Sequence, residues 1–287
     1  MDKALHKKVL ADLKKAGIAS ELKTIQTLKN RGWRLFVSPS YFDRDSDCSR
    51  EIDIMALHPF IEKDKNGQRF NSFLHLCIEV KKTETPWVVC APKADQGRAP
   101  IIRSPFHTLP SWLLDENSKQ FQFTDYWMAL SDADYVNDLD WLGTNIHESF
   151  KSPGNTSRWH GSFFTVCKAL QAEYERHATY HTERAGKNPT RDKELHDAHL
   201  FLGAVVLDGP LYVARLTIDG NISLEEASFA PFDFHLHTAK YQPDDYRLDV
   251  VQINSLDSFL RMLETWHESF KSELLGYVNG EDDTYNK

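Results

Sequence analysis

An α/β fold is the expectation from this sequence, and three observations lead to it. A helical period near the N-terminus gives way to three short strand patterns in succession, an order that is α/β or α+β in kind. A further strand pattern and a helix return near the C-terminus after a long irregular stretch. That return favours one continuous sheet flanked by helices over two independent domains. Length and composition agree, because 287 residues that are 41% hydrophobic and 26% charged can bury a sizeable core.

The helical stretch carries Leu5, Val9, Leu13, Ile18, Leu22, Ile25 and Leu28 at helical spacing, with Gly17 placed to divide it and Gly32 to end it. W-R-L-F-V-S (33–38) reads as a first strand, and Pro39–Arg50 as a polar, turn-rich connection. E-I-D-I-M-A-L (51–57) is the second strand and F-L-H-L-C-I-E-V-K (73–81) the third, with E-K-D-K-N-G-Q-R (62–69) reversing the chain between them. Residues from about 88 to 161 are irregular yet too rich in Trp, Phe and Tyr for disorder. They read as an ordered insertion within a single domain spanning 1–287. A strong helix is expected over about 162–184, and a strand pair over 199–216 around the Asp208-Gly209-Pro210 turn. The chain then ends on a strand at 247–253 and a helix at 255–266 with Ser255 as its cap.

No run approaches the ~18–20 apolar residues of a transmembrane helix, and the N-terminus lacks the apolar segment of a secretory signal. A cytoplasmic protein without a membrane partner is the expectation. Four scattered cysteines (Cys48, Cys77, Cys90, Cys167) form no C-x-x-C pair, which argues against a disulfide framework or a zinc knuckle. P-loop, dinucleotide-binding and nucleophile-elbow motifs are all absent from the sequence. The net charge is −8, yet residues 1–34 hold nine basic side chains against three acidic ones. Such a local surface can meet a polyanion despite the acidic total, and it can equally be a solvated helix face.

The second and third strands contain charges that a strand interior does not tolerate unpaired. Alternation places Leu74, Leu76, Ile78 and Val80 on one face, and Phe73, His75, Cys77, Glu79 and Lys81 on the other. In the second strand Glu51, Asp53 and Met55 share a face. Antiparallel pairing would bring Asp53, Glu79 and Lys81 together. Two carboxylates at close range call for a cation, and hard oxygens suit Mg²⁺. Such an ion lowers the pKa of bound water, and a nearby ammonium stabilises developing negative charge. Asp followed by Glu-x-Lys on the next strand is a minimal device for phosphodiester hydrolysis.

A helix with Glu21, a strand, a strand with Asp53 and a strand with E-V-K resembles the PD-(D/E)XK nuclease superfamily, in its Mrr-type and junction-resolvase branch. The resemblance covers residues ~18–82. It implies a restriction-endonuclease-like mixed sheet with a long insertion after the third strand. It also implies Mg²⁺ (or Mn²⁺) held by Asp53, Glu79, the Val80 carbonyl and Glu21, with Lys81 as the catalytic lysine. DNA is the implied substrate, its backbone held by the basic N-terminal helices and by Lys63, Lys65 and Arg69. The acidic total points to an activating protein partner or a homo-oligomer, as in a restriction or phage-defence effector. Two departures stand out: Ile52 occupies the loosely Pro position before Asp53, and Pro86 opposes an immediate helix after E-V-K. The rival expectations are a non-catalytic nucleic-acid-binding or scaffold protein of the same fold, built on a buried Asp53–Lys81 pair, and an RNase or tRNA-directed toxin.

The remaining histidines are not expected to form a metal site. His177 and His181 lie four apart on a helix and read as a solvent-facing pair, with no third ligand spaced to suit. His196 and His199, and His235 and His237, read as residues that either contact a phosphate or pack at a strand edge.

Overall fold

The computed structural model describes residues 3–63, 69–92, 107–108, 141–151, 157–187, 196–241 and 244–278. Helices α1 (Lys3–Lys15) and α2 (Ile18–Asn30) are separated at Gly17, whose φ of 86° is in the left-handed region that glycine adopts without steric cost. Strand β1 (Arg34–Val37) follows, then a small hairpin of β2 (Ser40–Asp43) and β3 (Cys48–Glu51). The long strands β4 (Ile54–Lys63) and β5 (Arg69–Lys82) pair antiparallel, from Ile54 opposite Ile78 to Lys63 opposite Arg69. Next come β6 (Trp87–Cys90), β7 (His107–Thr108) and β8 (Asn145–Glu148), and then the 30-residue helix α3 (Arg158–Lys187). Strands β9 (His196–Asp208), β10 (Leu211–Leu216), β11 (Ile222–Glu226), β12 (Phe229–Leu236) and β13 (Asp244–Gln252) lead into a 3₁₀ turn and helix α4 (Leu256–Val278).

The result is a mixed α/β architecture with a central sheet in the order β1-β4-β5-β9-β13-β12, to which β7 adds beside β9. β1, β5, β9 and β13 run in one direction and β4 and β12 in the other, so that β5–β9 and β9–β13 pair parallel and β1–β4, β4–β5 and β12–β13 antiparallel. Two parallel neighbours need a long crossover, and α3 lies in the connection between β5 and β9. Leu74, Leu76, Ile78 and Val80 of β5 pack on one face of the sheet with Leu28 of α2 and Phe259, Leu260 and Leu263 of α4. On the other face Cys77, Phe201 and Val205 pack against Phe163, Val166, Cys167 and Leu170 of α3. Helix α3 approaches closely because β9 has Gly203 at the crossing. A Cβ there would lie 2.5 Å from a Val166 methyl and 2.6 Å from one of Leu248. A second sheet, β11-β10-β6-β8, contributes Trp87, Val89, Ile146, Leu211 and Val213 to that same core.

Three expectations change. The strand expected over 51–57 begins at Ile54, because Glu51 closes the β2–β3 hairpin and the chain bends at Ile52–Asp53. The expected hairpin at Asp208-Gly209-Pro210 does not form, since β9 and β10 belong to different sheets. The Thr83 N–H donates to the Asp208 carbonyl at 3.1 Å and the Trp87 N–H to that of Pro210 at 3.0 Å. The chain segments after β5 and after β9 thus leave the main sheet together and pair again, as parallel β6 and β10. Gly209 permits this, because a Cβ there would come within 2.6 Å of Thr83. Finally, both ends of the expected insertion are strands, β6 and β8, while 93–106, 109–140 and 152–156 lie outside the described residues. Among the described residues no helix is long and apolar enough to cross a membrane.

Candidate active site

The bend that ends β3 sets the position of Asp53. Ile52 N–H donates to the Pro39 carbonyl at 3.2 Å, and Ser38 N–H to the Asp53 carbonyl at 2.9 Å, which fastens the entry to β4. With Ile54 opposite Ile78, Asp53 falls across from Glu79, one step beyond the last backbone pair. There the Asp53 Oδ2 accepts the Val80 N–H at 2.7 Å, in place of a strand partner. The Asp53 N–H in turn donates toward the Glu79 carboxylate. Lys81 Nζ donates to Glu79 Oε1, a contact between side chains two apart on one strand face. Glu21, in the first turn of α2, completes the group. Its carboxyl is raised above the ordinary range by burial and then by the charge of Asp53, against the opposing pull of Lys81.

Glu79 is itself raised, first by burial, with Asp53 adding to the effect and Lys81 opposing it. Three carboxylates share one ammonium, so the group favours a cation or protons. The Glu79 Oε2 atom is buried without a hydrogen-bond partner. A buried carboxylate oxygen is costly to leave in that state, and it is the kind of atom that ligates a hard metal ion. Asp53 and Glu79 offer the hard carboxylate oxygens that suit Mg²⁺ or Mn²⁺, and Glu21 is near enough to feel the charge of Asp53. Strand geometry directs the Val80 carbonyl to the same edge as its N–H, toward Asp53.

No family model matches the chain, and neither a curated protein nor a solved structure matches it. The reading of the site therefore rests on its own geometry.

Two neighbours went unnoticed in the sequence. Tyr41 of β2 is buried, and burial, helped by the charges of Asp43, Tyr241 and Glu79, raises its hydroxyl well above the usual range. It also lines a cavity of about 710 Å³ with Phe36, Phe42, Met55 and Arg176. Ser20, one residue before Glu21, donates its hydroxyl to Asp208 Oδ2, which ties the start of α2 to the end of β9. Long-range pairing brings both in, and neither had a sequence signal.

The expected nucleic-acid contacts divide. Lys3, Lys7, Lys8, Lys15, Lys23 and Lys29 are exposed, as is Lys63. Arg31 is not free, because its guanidinium binds Glu264 and Asp257 of α4. Lys65 and the side chain of Arg69 lie outside the described residues. Glu84 is exposed on the turn after β5.

The histidine expectations also change. His177 does not face solvent with His181, whose side chain lies outside the described residues. It packs instead against His75 and His199, ring centroids 4.6 and 4.7 Å away. His75 Nε2 and His199 Nδ1 stand 2.9 Å apart. Beside them, Glu173 Oε1 is 3.1 Å from His177 Nε2 and 3.5 Å from His75 Nδ1. Burial opposes ionisation of Glu173, yet hydrogen bonds from His177, His75 and Arg176 hold its carboxyl far below the usual range. His75 is pushed down to about 4, chiefly by burial. Alternation had placed only His75 on the β5 face shared with Glu79, and its partners come from about 100 residues or more downstream. His235 of β12 stacks with His237 just beyond its end, apart from this group.

Proposed function

We propose that this chain is a metal-dependent nuclease that hydrolyses phosphodiester bonds of DNA. The observation that carries the reading is the meeting of Asp53, Glu79, Lys81 and Glu21 at the ends of β4, β5 and α2, with the Glu79 Oε2 buried and unpartnered. The order α2, β1, β4, β5, with an antiparallel trio of strands, supports the restriction-endonuclease-like fold and the PD-(D/E)XK resemblance.

Asp53, Glu79 and Glu21 would hold Mg²⁺ or Mn²⁺, with the Val80 carbonyl as a further oxygen. The ion, when bound, lowers the pKa of water and stabilises charge on a phosphoryl oxygen. The Val80 N–H fixes the Asp53 carboxylate through Oδ2 and leaves Oδ1 for ligation. Lys81 orients the attacking water and stabilises the developing negative charge, once substrate phosphate competes for its contact with Glu79. The exposed lysines of α1 and α2 hold the phosphate backbone without reading bases. The acidic net charge of −8 favours activation by a protein partner or a second copy, and an effector role in defence is drawn from the superfamily resemblance by analogy alone.

A plasmid-cleavage assay with Mg²⁺ tests this. Wild type is expected to cut, and Asp53→Ala or Lys81→Ala to lower the rate by about 10²–10³-fold or more while circular dichroism stays unchanged. Intact plasmid under every condition tried, with single-stranded RNA intact alongside, would leave a non-catalytic binding or scaffold protein. Cleavage of RNA alone would make it an RNase, because nothing among these four residues reads the sugar.

A further inference from the structure

Among the described residues, the ligating side chains that gather within metal-binding reach are the histidines on the α3 face of the sheet. His75 on β5, His177 on α3 and His199 on β9 place one ring nitrogen each within 4.8 Å of one another. They come from three elements that the crossover between β5 and β9 brings together. Histidines rarely cluster in a core, because each ring must give up water at two nitrogens. Here His75 and His199 are nearly or fully buried, and their facing nitrogens are 2.9 Å apart. A tetrahedral centre with metal–nitrogen bonds of about 2.0–2.1 Å would separate its nitrogens by roughly 3.3 Å. A small spreading brings the His75 and His199 nitrogens to that separation, and His177, whose ring nitrogen lies within 4.8 Å of theirs, closes on the ion by a side-chain movement.

The surroundings also suit a metal. The Glu173 carboxylate faces the Nδ1 of His75, which directs the lone pair of Nε2 toward His199. A carboxylate behind a ligating imidazole fixes its tautomer and raises its basicity. Arg176 grips Glu173 through two bonds of 2.8 and 2.6 Å and holds it in place. Glu173 and Arg176 also line the 710 Å³ cavity, which offers an entry path.

We propose that His75, His177 and His199 form a zinc-binding site, oriented by Glu173, that pins β5, β9 and α3 together. Imidazole nitrogen selects a borderline transition-metal ion and not Mg²⁺. The site is separate from the carboxylates, because His75 precedes Glu79 by four residues, roughly 13 Å along an extended strand. On binding, the proton shared between His75 Nε2 and His199 Nδ1 shifts to the far nitrogen of His199, so no net charge is lost from the rings.

The test uses the full chain, stripped with a chelator and titrated with zinc chloride by calorimetry in the presence of excess Mg²⁺. A single equivalent is expected to bind and to raise the melting temperature. His177→Asn and His199→Asn are expected to abolish binding, and Glu173→Gln to weaken it by about 10–100-fold. Glu79→Gln, at the other site, is expected to leave zinc binding unchanged. Failure of wild type to bind zinc overturns the proposal, and so does wild-type binding by a folded His177→Asn. Should His199→Asn not fold, the cobalt(II) spectrum of wild type decides. Strong visible bands of a four-coordinate ion support the site, and the pale spectrum of hydrated cobalt overturns it. None of these readouts depends on nuclease activity.

Discussion

The two faces of β5 are built from alternate residues of one strand, yet they hold opposite chemistry. Leu74, Leu76, Ile78 and Val80 meet α2 and α4 in an apolar row with almost no exposure. His75, Cys77, Glu79 and Lys81 meet the α3 side, where buried polar groups gather: Glu173, Lys168, Asp43 and the hydroxyl of Tyr41. The first face holds the sheet together through area removed from water. The second contains groups that cost stability wherever they lack a partner, and there both the unpartnered Glu79 oxygen and the histidine group lie. Stability and candidate chemistry are thus divided across a single strand, a separation common where function demands unfavourable burial.

The strongest challenge to this division is Lys168→Ala. Lys168 Nζ lies 2.8 Å from both Asp43 Oδ1 and Asp45 Oδ2, and its own side chain is 10% exposed. Removing it leaves two carboxylates without their ammonium, held by hydrogen bonds from Ser46, Tyr241 and the Asp45 and Lys240 N–H groups, and a loss of about 3–5 kcal/mol in urea unfolding is expected. A smaller loss than on the apolar face would mean that water already reaches the pair. Leu76→Ala deletes a side chain that is 1% exposed, with an expected cost of about 2–5 kcal/mol and an unchanged m value.

Acid supplies an intermediate effect. His267 of α4 is buried, bonded at Nε2 to Ser72 Oγ at 2.7 Å, and pushed down to about 3 by burial and by His58, Lys271 and His75. Its folded value lies below the ordinary 6.5, so the unfolded chain takes up the proton first. Stability is then full above pH 6.5 and falls as the pH drops toward 3, by about 2 kcal/mol at pH 5. Thermal melts of metal-free protein should show this slope together with a similar one from His75, pushed down to about 4, and His267→Gln should remove about half of it. An equal slope in the variant assigns the effect elsewhere.

The smallest stability effect is the sharpest discriminator. Burial raises the Glu79 carboxyl, so its ionised form works against folding. Glu79→Gln is expected to stay within about 1 kcal/mol of wild type, on the stabilising side, while plasmid cleavage is lost. A cost comparable to that of Leu76→Ala would make Glu79 a structural residue and remove the contrast between the faces.

Much of this was legible in the chain. Period-2 alternation assigned the residues of β5 to their faces, and helical spacing with Gly17 located α1 and α2. Asp53, Glu79 and Lys81 were singled out as strand charges that antiparallel pairing could bring together, and Glu21 only through the superfamily resemblance. The bend at Asp53 was not legible, because I-D-I continues the strand pattern and only the β2–β3 hairpin interrupts it. The Asp208-Gly209-Pro210 corner was read as a turn between paired strands, since local sequence encodes a reversal and not the sheet each arm joins.

What the sequence alone determined is local: which residues are apolar on which face, where the helices break, and which charges are out of place in a strand. These follow from backbone periods and the cost of burying charge, both written within a few residues. Tertiary structure decided the partnerships. Parallel pairing of β5 with β9 sets His75 beside His199, α3 adds His177 and Glu173, and the start of α2 carries Glu21 to Asp53. These contacts join residues far apart in the chain, and the packing that brings them together is a property of the whole core and not of any one segment.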